Sequence, residues 1–553
     1  MDASTRFETR VVGALPLVGA MMQQWGLAEI VNRVVPWEGE IPLGTLVEVL
    51  VTSRLLNPQA MYIVGEWAKE SGVTDYFGVT AEQLNDDRLG RALERIADHR
   101  DAVQAALTLA AVKQWKVKVD QIHYDISTVE LYGAYANAQP TSTDPGTGPS
   151  LPTMPTVPFP TYGRTKSGRD DVKQVQFGLS VLGDGAIPAG LIPLAGNTPE
   201  ARTHVASLRQ LAKIFPKRKF LYMGDSKLDT PENLVTAHMT GGLFLCAAAF
   251  SQTLQARFRE ARSQLKPIDY CSLADSKRPP EKRDQYQACE VKDQVVSTFN
   301  GQKVTVKHRL LFVHSSAKAE RQAATRQRHL DKIEAELQQV QKLAGKYSLK
   351  TEDKIRRRLE VMLGKYSEGK LYDYTVSQRG PKFTVTWSIN AARLEQVKEL
   401  EGVFVLRTNE SRKLSPAGVL GKYREQICVE KRIHHTKGPL AVAPVFLKNP
   451  KRIAGLLCII VWALTILSLM ERQVRTNLKG QPLVGLLPEN RPSPNPTGPK
   501  LLKAFATLSV VTIHDRGETT HRLTQLTATQ RKILKLLDAP DGALQTFKRR
   551  CGM

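Results

Sequence analysis

Residues 116–249 carry an alternation of short apolar runs and helical stretches that restricts this part of the chain to a layered α/β fold. Helices are predicted at Pro199–Phe215 and after Thr230. The apolar runs typical of strands are Lys116–Tyr124, Val172–Leu182, Ile187–Ala195, Lys219–Gly224 and Leu243–Ala249. The first and the fourth of these runs lead directly into Asp125 and Asp225, so a carboxylate stands at the end of each of two strands.

The segments on either side have a different character. Up to Gln114 apolar residues recur at helical spacing, which predicts an all-helical N-terminal domain with either a DNA-binding or a structural or dimerising role. Residues 251–400 combine basic strands with a charged helical pair, Ala317–Tyr366, and have hairpin signals at Asn300-Gly301 and Arg379-Gly380. The predicted organisation is a helical domain at 1–115, a core in two parts at 116–250 and 401–475, a β-rich insertion with a helical hairpin at 251–400, and a Pro-rich linker with a basic tail at 476–553.

The charge balance indicates a polyanionic partner. The 553 residues include 78 Lys and Arg against 54 Asp and Glu, which gives a formal net charge of +24. Such an excess favours nucleic acid as the partner, with an anionic membrane surface second. The 6 cysteines form no close pairs at metal-ligand spacing, which argues against zinc or a disulfide framework and fits reduced thiols in a cytosol.

One stretch, Ala454–Met470, is apolar enough to need a membrane test. It is about as short as a bilayer-spanning helix can be, and it contains Thr465 and Ser468. It stands alone, and MDASTRFETR at the start lacks the apolar run of a secretion signal. We therefore expect a buried core helix and no membrane partner.

Leu414–Gly438 reads as one complete helix. Ser415 is a good N-cap, Pro416 suits the first helical position, and Gly438 supplies a stop.

Three polar residues of this helix, Tyr423, Glu430 and Lys437, recur every seven residues. Seven residues are two helical turns, so these side chains are expected on one face, about 10 Å apart. A carboxylate between a phenol and a cation can bind a divalent metal while its neighbours hold phosphate oxygens. The same pattern is equally typical of the solvated face of an amphipathic helix.

The two strand-end aspartates and the helical glutamate are the ligand types that two-metal phosphoryl transfer requires. Carboxylate oxygens are hard ligands that Mg²⁺ prefers, and two ions about 4 Å apart activate the attacking oxygen and stabilise the leaving one. Other acids have simpler explanations, since Asp184 lies in a turn and Asp229 beside a helix start. Spacing alone leaves both a shared site and unrelated surface acids open.

The helix resembles the signature of bacterial insertion-sequence transposases of the DDE class, which runs Tyr, two residues, Arg, three residues, Glu, six residues, Lys. Tyr423, Glu430 and Lys437 match it in register, and Gln426 stands where arginine is usual. Other segments similar to that family are EWAKESGV, QLNDDRLGRALERI, YDISTVELYG, GRTKSGRDDVKQ, LAGNTPEART, GDSK and GVFVLRTN. The resemblance covers most of residues 10–475 in order. It implies an RNase H-like core, a mixed sheet with flanking helices, interrupted by a strand-rich insertion before the catalytic helix.

The resemblance further implies that Asp125, Asp225 and Glu430 are the catalytic residues and the metal ligands. They are expected to hold two Mg²⁺ ions, with Mn²⁺ as a substitute. The resemblance also implies that water activated at this site would cleave a DNA strand and that the freed 3′-hydroxyl would then attack a target phosphodiester in line.

Two sets of residues are expected to contact DNA. On the signature helix, the resemblance implies contacts from Tyr423 and Lys437 to phosphates at the element's end, and Arg424 is expected to compensate for the charge that Gln426 lacks. The remaining candidates are Lys166, Arg169 and Lys173, in a basic loop, and Trp387, beside basic strands. Solvated surface accounts for many such lysines and arginines, and a strand tryptophan is more often part of a core.

The expected function is therefore that of a DNA transposase that binds terminal inverted repeats and target DNA as a homodimer in a prokaryotic cytoplasm, associated with the nucleoid when DNA-bound. Two alternatives remain open from the residues. One is an RNase H-like nuclease without strand transfer, and the other is a non-catalytic DNA-binding protein derived from a transposase.

Overall fold

The computed structural model describes residues 5–132, 135, 158–163, 168–169, 171–380, 382–410, 414–440, 447–515, 518–538 and 542–553. The chain divides into two compact units. The first consists of Met1–Leu245, Val296–Val306 and Arg424–Met553, and the second of Cys246–Val295 and Lys307–Tyr423. The predicted insertion, residues 251–400, falls mostly within the second unit, which extends to Tyr423.

The strands follow in chain order. They are β1 (Arg6–Val11), β2 (Gln121–Leu131), β3 (Lys173–Leu182), β4 (Pro188–Ala195), β5 (Phe220–Gly224), β6 (Gly242–Ala248), β7 (Lys266–Ile268), β8 (Tyr286–Phe299), β9 (Gln302–Ser315), β10 (Tyr372–Arg379), β11 (Lys382–Ile389), β12 (Val403–Thr408), β13 (Ser509–Asp515) and β14 (Glu518–Leu523).

The α-helices are numbered in the same way. They are α1 (Leu15–Trp25), α2 (Leu27–Val34), α3 (Leu43–Leu56), α4 (Val64–Glu70), α5 (Val73–Phe77), α6 (Asp86–Gln114), α7 (Glu200–Ile214), α8 (Pro231–Thr240), α9 (Gln252–Ala261), α10 (Ser316–Leu343), α11 (Glu352–Leu363), α12 (Ala391–Lys398), α13 (Pro416–Arg424), α14 (Ile427–Lys437), α15 (Pro450–Leu478), α16 (Gly498–Lys503), α17 (Ala528–Leu536) and α18 (Gly542–Arg550).

The first unit contains a mixed sheet with strand order β4-β3-β2-β5-β6. Strands β2, β3 and β4 form an antiparallel meander, and β5 joins β2 in parallel. The order of strands and helices predicted for residues 116–249 is confirmed, and so is the α/β class. An RNase H-like assignment of this sheet stays a prediction.

Helix α15 forms the centre of the first unit and packs against α3, α6 and β4. It is long and apolar enough to cross a membrane by composition alone, but its most apolar window is 100% buried inside the protein. Thr465 and Ser468 donate to the carbonyls of Val461 and Leu464 one turn earlier, so their hydroxyls are satisfied within the helix. The expectation of a buried core helix at Ala454–Met470 is confirmed.

The N-terminal segment is not all-helical, contrary to the prediction. Strand β1 pairs antiparallel with β13, which pairs in turn with β14. The β1 sequence RFETRV alternates in polarity, which favours a strand over a helix. The predicted C-terminal tail is likewise folded into the first unit, since Phe547 of α18 is buried and stacks on Tyr76 with ring centroids 5.8 Å apart.

The second unit contains a sheet with strand order β12-β9-β8-β7 and a separate ribbon, β10–β11. Asn300 and Gly301 have φ angles of +48° and +81°, the left-handed conformation that the β8–β9 turn requires. Helices α10 and α11 form the predicted helical hairpin, and the ribbon packs on it through a core that includes Ile333, Leu359 and Val385. We call α10, α11 and the ribbon together the hairpin subdomain.

Candidate active site on strands β2 and β5

The parallel pairing of β2 and β5 places Asp125 and Asp225 side by side. Asp225 directly follows β5 as predicted, but Asp125 lies inside β2 and not at its end, because the strand continues to Leu131 as the antiparallel partner of β3. His123 of β2 is paired with Met223 of β5. Asp125 and Asp225 each follow two residues later, so they stand at the same level of neighbouring strands. Such strands are about 4.8 Å apart, so both carboxylates are within reach of one ligand.

Alternation along β2 decides which face of the sheet Asp125 occupies, because successive side chains point to opposite faces. The Tyr124 ring lies against His204 of α7, with centroids 5.1 Å apart. His123 instead contacts the start of α14, where its Nδ1 lies 3.0 Å from Oε1 of Gln426. Asp125 shares the His123 face and therefore lies on the α14 side.

The same alternation holds for β5. Tyr222 stacks on Tyr124, with ring centroids 6.2 Å apart, so it lies on the α7 side. A methyl group added at Gly224 would point to that side too, because it would lie 2.9 Å from Cε1 of His204. Asp225, the next residue, continues the alternation onto the α14 side. Both aspartates consequently share one face of the sheet.

Local hydrogen bonds orient both carboxylates. Oδ1 of Asp125 accepts the N–H of Ile126 at 2.8 Å, and Oδ1 of Asp225 accepts the N–H of Lys227 at 2.9 Å. Both aspartates are half-buried. Each carboxylate is thus held by a backbone donor and remains partly accessible to a cation.

The opposite face of the two strands is sealed. Tyr124, Tyr222 and His204 are buried, and His204 Nδ1 lies 3.2 Å from the Tyr222 hydroxyl. Burial lowers the pKa of His204 to about 3, so the imidazole is neutral. Burial also raises the pKa of both tyrosines above their usual value. All three groups are therefore uncharged at neutral pH.

The stretch Leu414–Gly438 forms two helices rather than the single helix predicted. Ser415 caps α13 as expected, since its Oγ accepts the N–H of Gly418 at 3.2 Å, and α14 ends before Gly438. At the junction Cys428 donates to the carbonyl of Glu425, an i to i+3 bond that tightens the backbone. This break interrupts the helical phase between Tyr423 and Glu430, whereas Glu430 and Lys437 still share a face of α14.

Gln426 stands at the junction and joins α14 to β2. Its side chain is 9% exposed, its Nε2 donates to the carbonyl of Tyr124 at 2.9 Å, and its Oε1 accepts from Nδ1 of His123. A glutamine amide supplies both a donor and an acceptor, whereas arginine has no acceptor and brings a charge into a buried position. This geometry explains glutamine where the family signature has arginine, and it gives no support to a DNA contact at Gln426.

A buried ion pair anchors the middle of α14. Nη1 of Arg432 lies 2.7 Å from Oε2 of Glu471 in α15, and both side chains are at most 4% exposed. Arg432 also donates to the carbonyls of Ala186 and Gly185, in the turn between β3 and β4, and Glu471 accepts the N–H of Gly498. Because both charges are paired and hydrogen-bonded, they hold α14, α15 and the sheet in one arrangement.

The third predicted ligand, Glu430, is solvent-exposed on α14, one turn after Gln426. Among the residues that the structure describes, no group of three or more His, Cys, Asp or Glu side chains is close enough to hold a metal ion. Asp125 and Asp225 fit one half of a magnesium site by chemistry and placement. Glu430 is on the helix that covers their face but is not gathered with them.

The other predicted DNA contacts fall in different surroundings. Arg424 and Lys437 are exposed, and Tyr423 is the last residue of the second unit. Arg169 forms a bidentate pair with Asp171, at 2.7 and 2.8 Å, and Nζ of Lys173 lies 3.3 Å from the carbonyl of Tyr135. Lys166 lies outside the described residues, as does most of the predicted loop Gln139–Tyr162.

Trp387 lies on β11 and packs against the core of the hairpin subdomain. Its Nε1 donates to both carboxylate oxygens of Glu334, at 2.9 and 3.0 Å. The ring is half-buried, so the geometry assigns it to packing and does not present it for stacking on a base.

No motif in the sequence points to His123, Arg432 or Glu471, which hold the site together. The only available signal is the presence of charged and imidazole side chains inside apolar stretches, since buried charges normally occur in pairs. That signal does not reveal which residue pairs with which.

The chain has limited similarity to known proteins. A family described as "Domain of unknown function (DUF4277)" matches residues 7–106. The chain has no match among curated protein sequences at the significance required. A cryo-EM structure of a piggyBac transposase synaptic complex with hairpin DNA aligns with 99% of this chain and 87% of that chain, at 7% sequence identity and a TM-score of 0.35. The chain is thus similar to an uncharacterised family over its helical N-terminal part, and its likeness to the transposase is too weak to assign a fold or a function.

Proposed function

We propose that this protein is a metal-dependent DNA transposase of the DDE class, encoded by an insertion sequence and acting on the ends of its own element. The observation that carries the proposal is the register of β2 and β5, which sets Asp125 and Asp225 at one level on the face covered by α14. Glu430 is on that helix. The resemblance of the signature helix to such transposases supports the same conclusion.

In this proposal Asp125, Asp225 and Glu430 hold Mg²⁺, which supplies a Lewis acid for cleaving and rejoining phosphodiester bonds. The backbone N–H groups of Ile126 and Lys227 keep the two aspartates oriented. The Gln426 bonds to β2 set the height of α14 above the strands. Completion of the ligand set requires the Glu430 side chain to reach towards the aspartates, while Gln426 and Arg432 keep α14 in place.

The net charge of +24 supports duplex DNA as the partner, both at the terminal repeats and at the target. Lys437 shares the Glu430 face of α14 and is placed in the proposal on a terminal phosphate, together with Arg424 and Tyr423. A homodimer on DNA and a cytoplasmic site of action belong to the same proposal.

Alanine substitution of the three acids tests the chemistry. Asp125→Ala, Asp225→Ala and Glu430→Ala are each expected to reduce Mg²⁺-dependent cleavage of a duplex carrying the element's end by at least about 1,000-fold, because each removes a ligand for the ions. Binding of the same duplex in EDTA is expected to stay within about 3-fold, since no direct DNA contact is removed. Glu425→Ala, an exposed acid five residues before Glu430, is the matched control and should cleave normally. Unchanged cleavage by all three variants would overturn the proposal.

A second function, a DNA-binding protein without catalysis, is favoured by one observation. Glu430 is exposed and is not gathered with the two aspartates among the described residues. Under this alternative the unsubstituted protein binds DNA but neither cuts it in Mg²⁺ or Mn²⁺ nor joins cut ends to a plasmid. Cleavage without joining identifies the nuclease alternative instead.

A further inference from the structure

The two turns of the hairpin subdomain lie at the same end of it. Trp387 of β11 is hydrogen-bonded to Glu334 of α10, and two residues nearer the ribbon's turn the N–H of Val385 donates to Gln341 of α10. The turn of the ribbon, between Arg379 and Lys382, therefore lies at the same end of the subdomain as the C-terminus of α10. The connection between α10 and α11 begins at that C-terminus. Two turns that are far apart in sequence thus meet at one end.

Exposed basic side chains are concentrated at this end. They are Lys342, Lys346, Lys350, Arg379 and Lys382, which together with Tyr347 we call the basic end. Within residues 342–358 the sequence has seven basic residues and two acidic ones, Glu352 and Asp353. Glu352 is already paired with Arg356 at 2.6 Å. The acids at this end therefore do not balance its positive charge.

The α10–α11 connection is ordered and presents an aromatic ring to solvent. The N–H of Gly345 donates to the carbonyl of Leu349 at 2.8 Å, and Leu349 is buried in the subdomain core. Tyr347, between them, has a φ of +50° and is 79% exposed. A tyrosine in the left-handed region is uncommon and carries backbone strain. Burial of the ring does not compensate for this strain, because the ring is exposed to solvent.

Several charged groups elsewhere in the second unit have partners. His329 is 2.9 Å from Glu368, Arg393 is 2.9 Å from Asp373, and Arg326 is paired with Glu401. Across the residues that the structure describes, no acidic group lies within salt-bridge distance of the five cations of the basic end. The basic end is therefore one surface of the subdomain whose positive charge is not offset by neighbouring acids.

Stabilisation of the helices does not account for this surface. Lys342 and Lys346 are near the C-terminus of α10, where a cation is favourable. Lys350, however, stands just before the N-terminus of α11, where a cation is unfavourable, and Arg379 and Lys382 are on the ribbon. A shared anionic partner explains all five.

We propose that the basic end binds the sugar-phosphate backbone of duplex DNA. The five cations contact phosphates, and the Tyr347 hydroxyl donates to another phosphate oxygen. The choice of DNA as the polyanion rests on the proposed function, but the contact does not depend on strand cleavage. The second unit then binds DNA in its own right, through a surface of its hairpin subdomain.

The proposal is tested by salt-dependent DNA binding of the full chain carrying Asp125→Ala, which prevents cleavage of the probe. The probe is a fluorescein-labelled 40-base-pair duplex of unrelated sequence, because backbone contacts do not depend on sequence. Lys346→Gln, Lys350→Gln and Lys382→Gln combined are expected to lower affinity at least about 10-fold at 0.1 M salt. They are also expected to reduce the slope of log K against log salt by about 2 to 3, since each lost phosphate contact removes about 0.9.

The matched control combines Lys332→Gln, Lys370→Gln and Lys398→Gln, three exposed lysines of the same unit away from the basic end. It removes the same charge, and its slope is expected to change by less than about 1. Equal losses for both triple variants would overturn the proposal, because they would reflect net charge alone. Unchanged DNA binding by the Lys346→Gln, Lys350→Gln, Lys382→Gln variant would also overturn it, as would a loss of binding to an acidic protein but not to DNA.

Tyr347→Phe removes only the hydroxyl and is expected to weaken binding about 3-fold, the effect of one hydrogen bond. If the Tyr347→Phe protein binds DNA as tightly as the protein with Tyr347, the tyrosine hydroxyl does not contribute to the contact. This inference and the proposed function fail separately. If Asp125, Asp225 and Glu430 prove dispensable for cleavage while the triple lysine variant of the basic end still loses DNA binding, the proposed catalytic site is overturned and the proposed DNA contact remains. If the acids are essential and that variant binds DNA normally, only the DNA contact is overturned.

Discussion

The two faces of strands β2 and β5 differ in burial and in the kind of side chain that they carry. On the α7 face, Tyr124, Tyr222 and His204 are each at most 1% exposed and uncharged. On the α14 face, Asp125 and Asp225 stay half-buried. One face excludes water and fixes the strands, and the other keeps charged groups accessible.

This contrast shows how α14 can cover a charged face without burying it. An apolar helix would shield the aspartates from a cation. Helix α14 is instead held at separate points, by the Gln426 amide on β2 and by the Arg432–Glu471 pair on α15. Polar anchors of this kind fix a position with little covering area.

The largest expected effect comes from removing the ion pair between Arg432 and Glu471. Arg432→Met is expected to lower the free energy of unfolding by about 3 kcal/mol, because buried Glu471 loses its 2.7 Å partner and keeps only the longer contact to Arg475, at 3.6 Å, and the N–H of Gly498. Urea unfolding at neutral pH measures it. Arg432→Met combined with Glu471→Met should recover most of the loss, since no buried charge remains. Lys431→Met, at the exposed neighbouring position, is the control, and an equal loss there would refute the anchor.

The hydrogen-bonded anchor gives an effect no larger than this. Gln426→Arg is expected to lower the free energy of unfolding by about 3 kcal/mol, because arginine cannot accept from His123 and its charge is buried. The family signature alone predicts a neutral or improved variant. A Gln426→Arg protein as stable as the original would show that the signature, and not this geometry, describes the position.

The sealed face is tested at Gly224. Gly224→Ala places a methyl group 2.9 Å from His204 Cε1 and 3.2 Å from Leu228 Cβ, and it is expected to lower the free energy of unfolding by about 1 to 3 kcal/mol. The same variant should reduce cleavage, since Asp225 follows directly. His204→Ala added to it makes room for the methyl group. If Gly224→Ala lowers the free energy of unfolding in urea as much in the His204→Ala protein as in the original, the crowding argument is wrong.

The neutral state of His204 predicts a pH dependence. Its pKa is about 3 in the folded protein, whereas an ordinary imidazole in the unfolded chain titrates near 6.5. The unfolded state therefore binds the extra proton first, so this contribution to stability is complete above pH 6.5 and is lost as the pH falls. Between pH 7.5 and 5.5 the loss is about 1.4 kcal/mol. This loss is measured by comparing the free energies of unfolding in urea of wild type and His204→Gln at both pH values. A difference between the two proteins that does not change with pH would contradict the prediction.

Much of the local structure could be predicted because it depends on local patterns. The strand and helix order of residues 116–249, the turn at Asn300-Gly301 and the cap at Asn85, whose Oδ1 accepts the N–H of Arg88 at 2.9 Å, follow from periodicity and capping chemistry. The position of Asp225 directly after β5 also follows from its apolar run, whereas the continuation of β2 past Asp125 to Leu131 depends on its pairing with β3.

The remainder depends on distant contacts. Strand β1 forms because β13, about 500 residues later, supplies its partner. The break at Gln426 arises because its side chain bonds to His123 and Tyr124, which spacing within one helix does not reveal. The resemblance fixed the identity of Glu430 as a candidate, but it did not predict that the side chain is exposed and apart from the aspartates.

The interruption of the first unit by the second also imposes an order in time. Both aspartates precede residues 246–423, and Glu430, Arg432 and Glu471 all follow them. At ribosomal speeds of about 5 to 20 residues per second, roughly 10 to 40 seconds separate the synthesis of Asp225 from that of Glu430. During that interval the nascent chain has two of its proposed ligands and a folding second unit, but no α14. Under the two proposals, a chain released early by truncation or stalling would bind DNA through the basic end but would lack the helix needed to cut it.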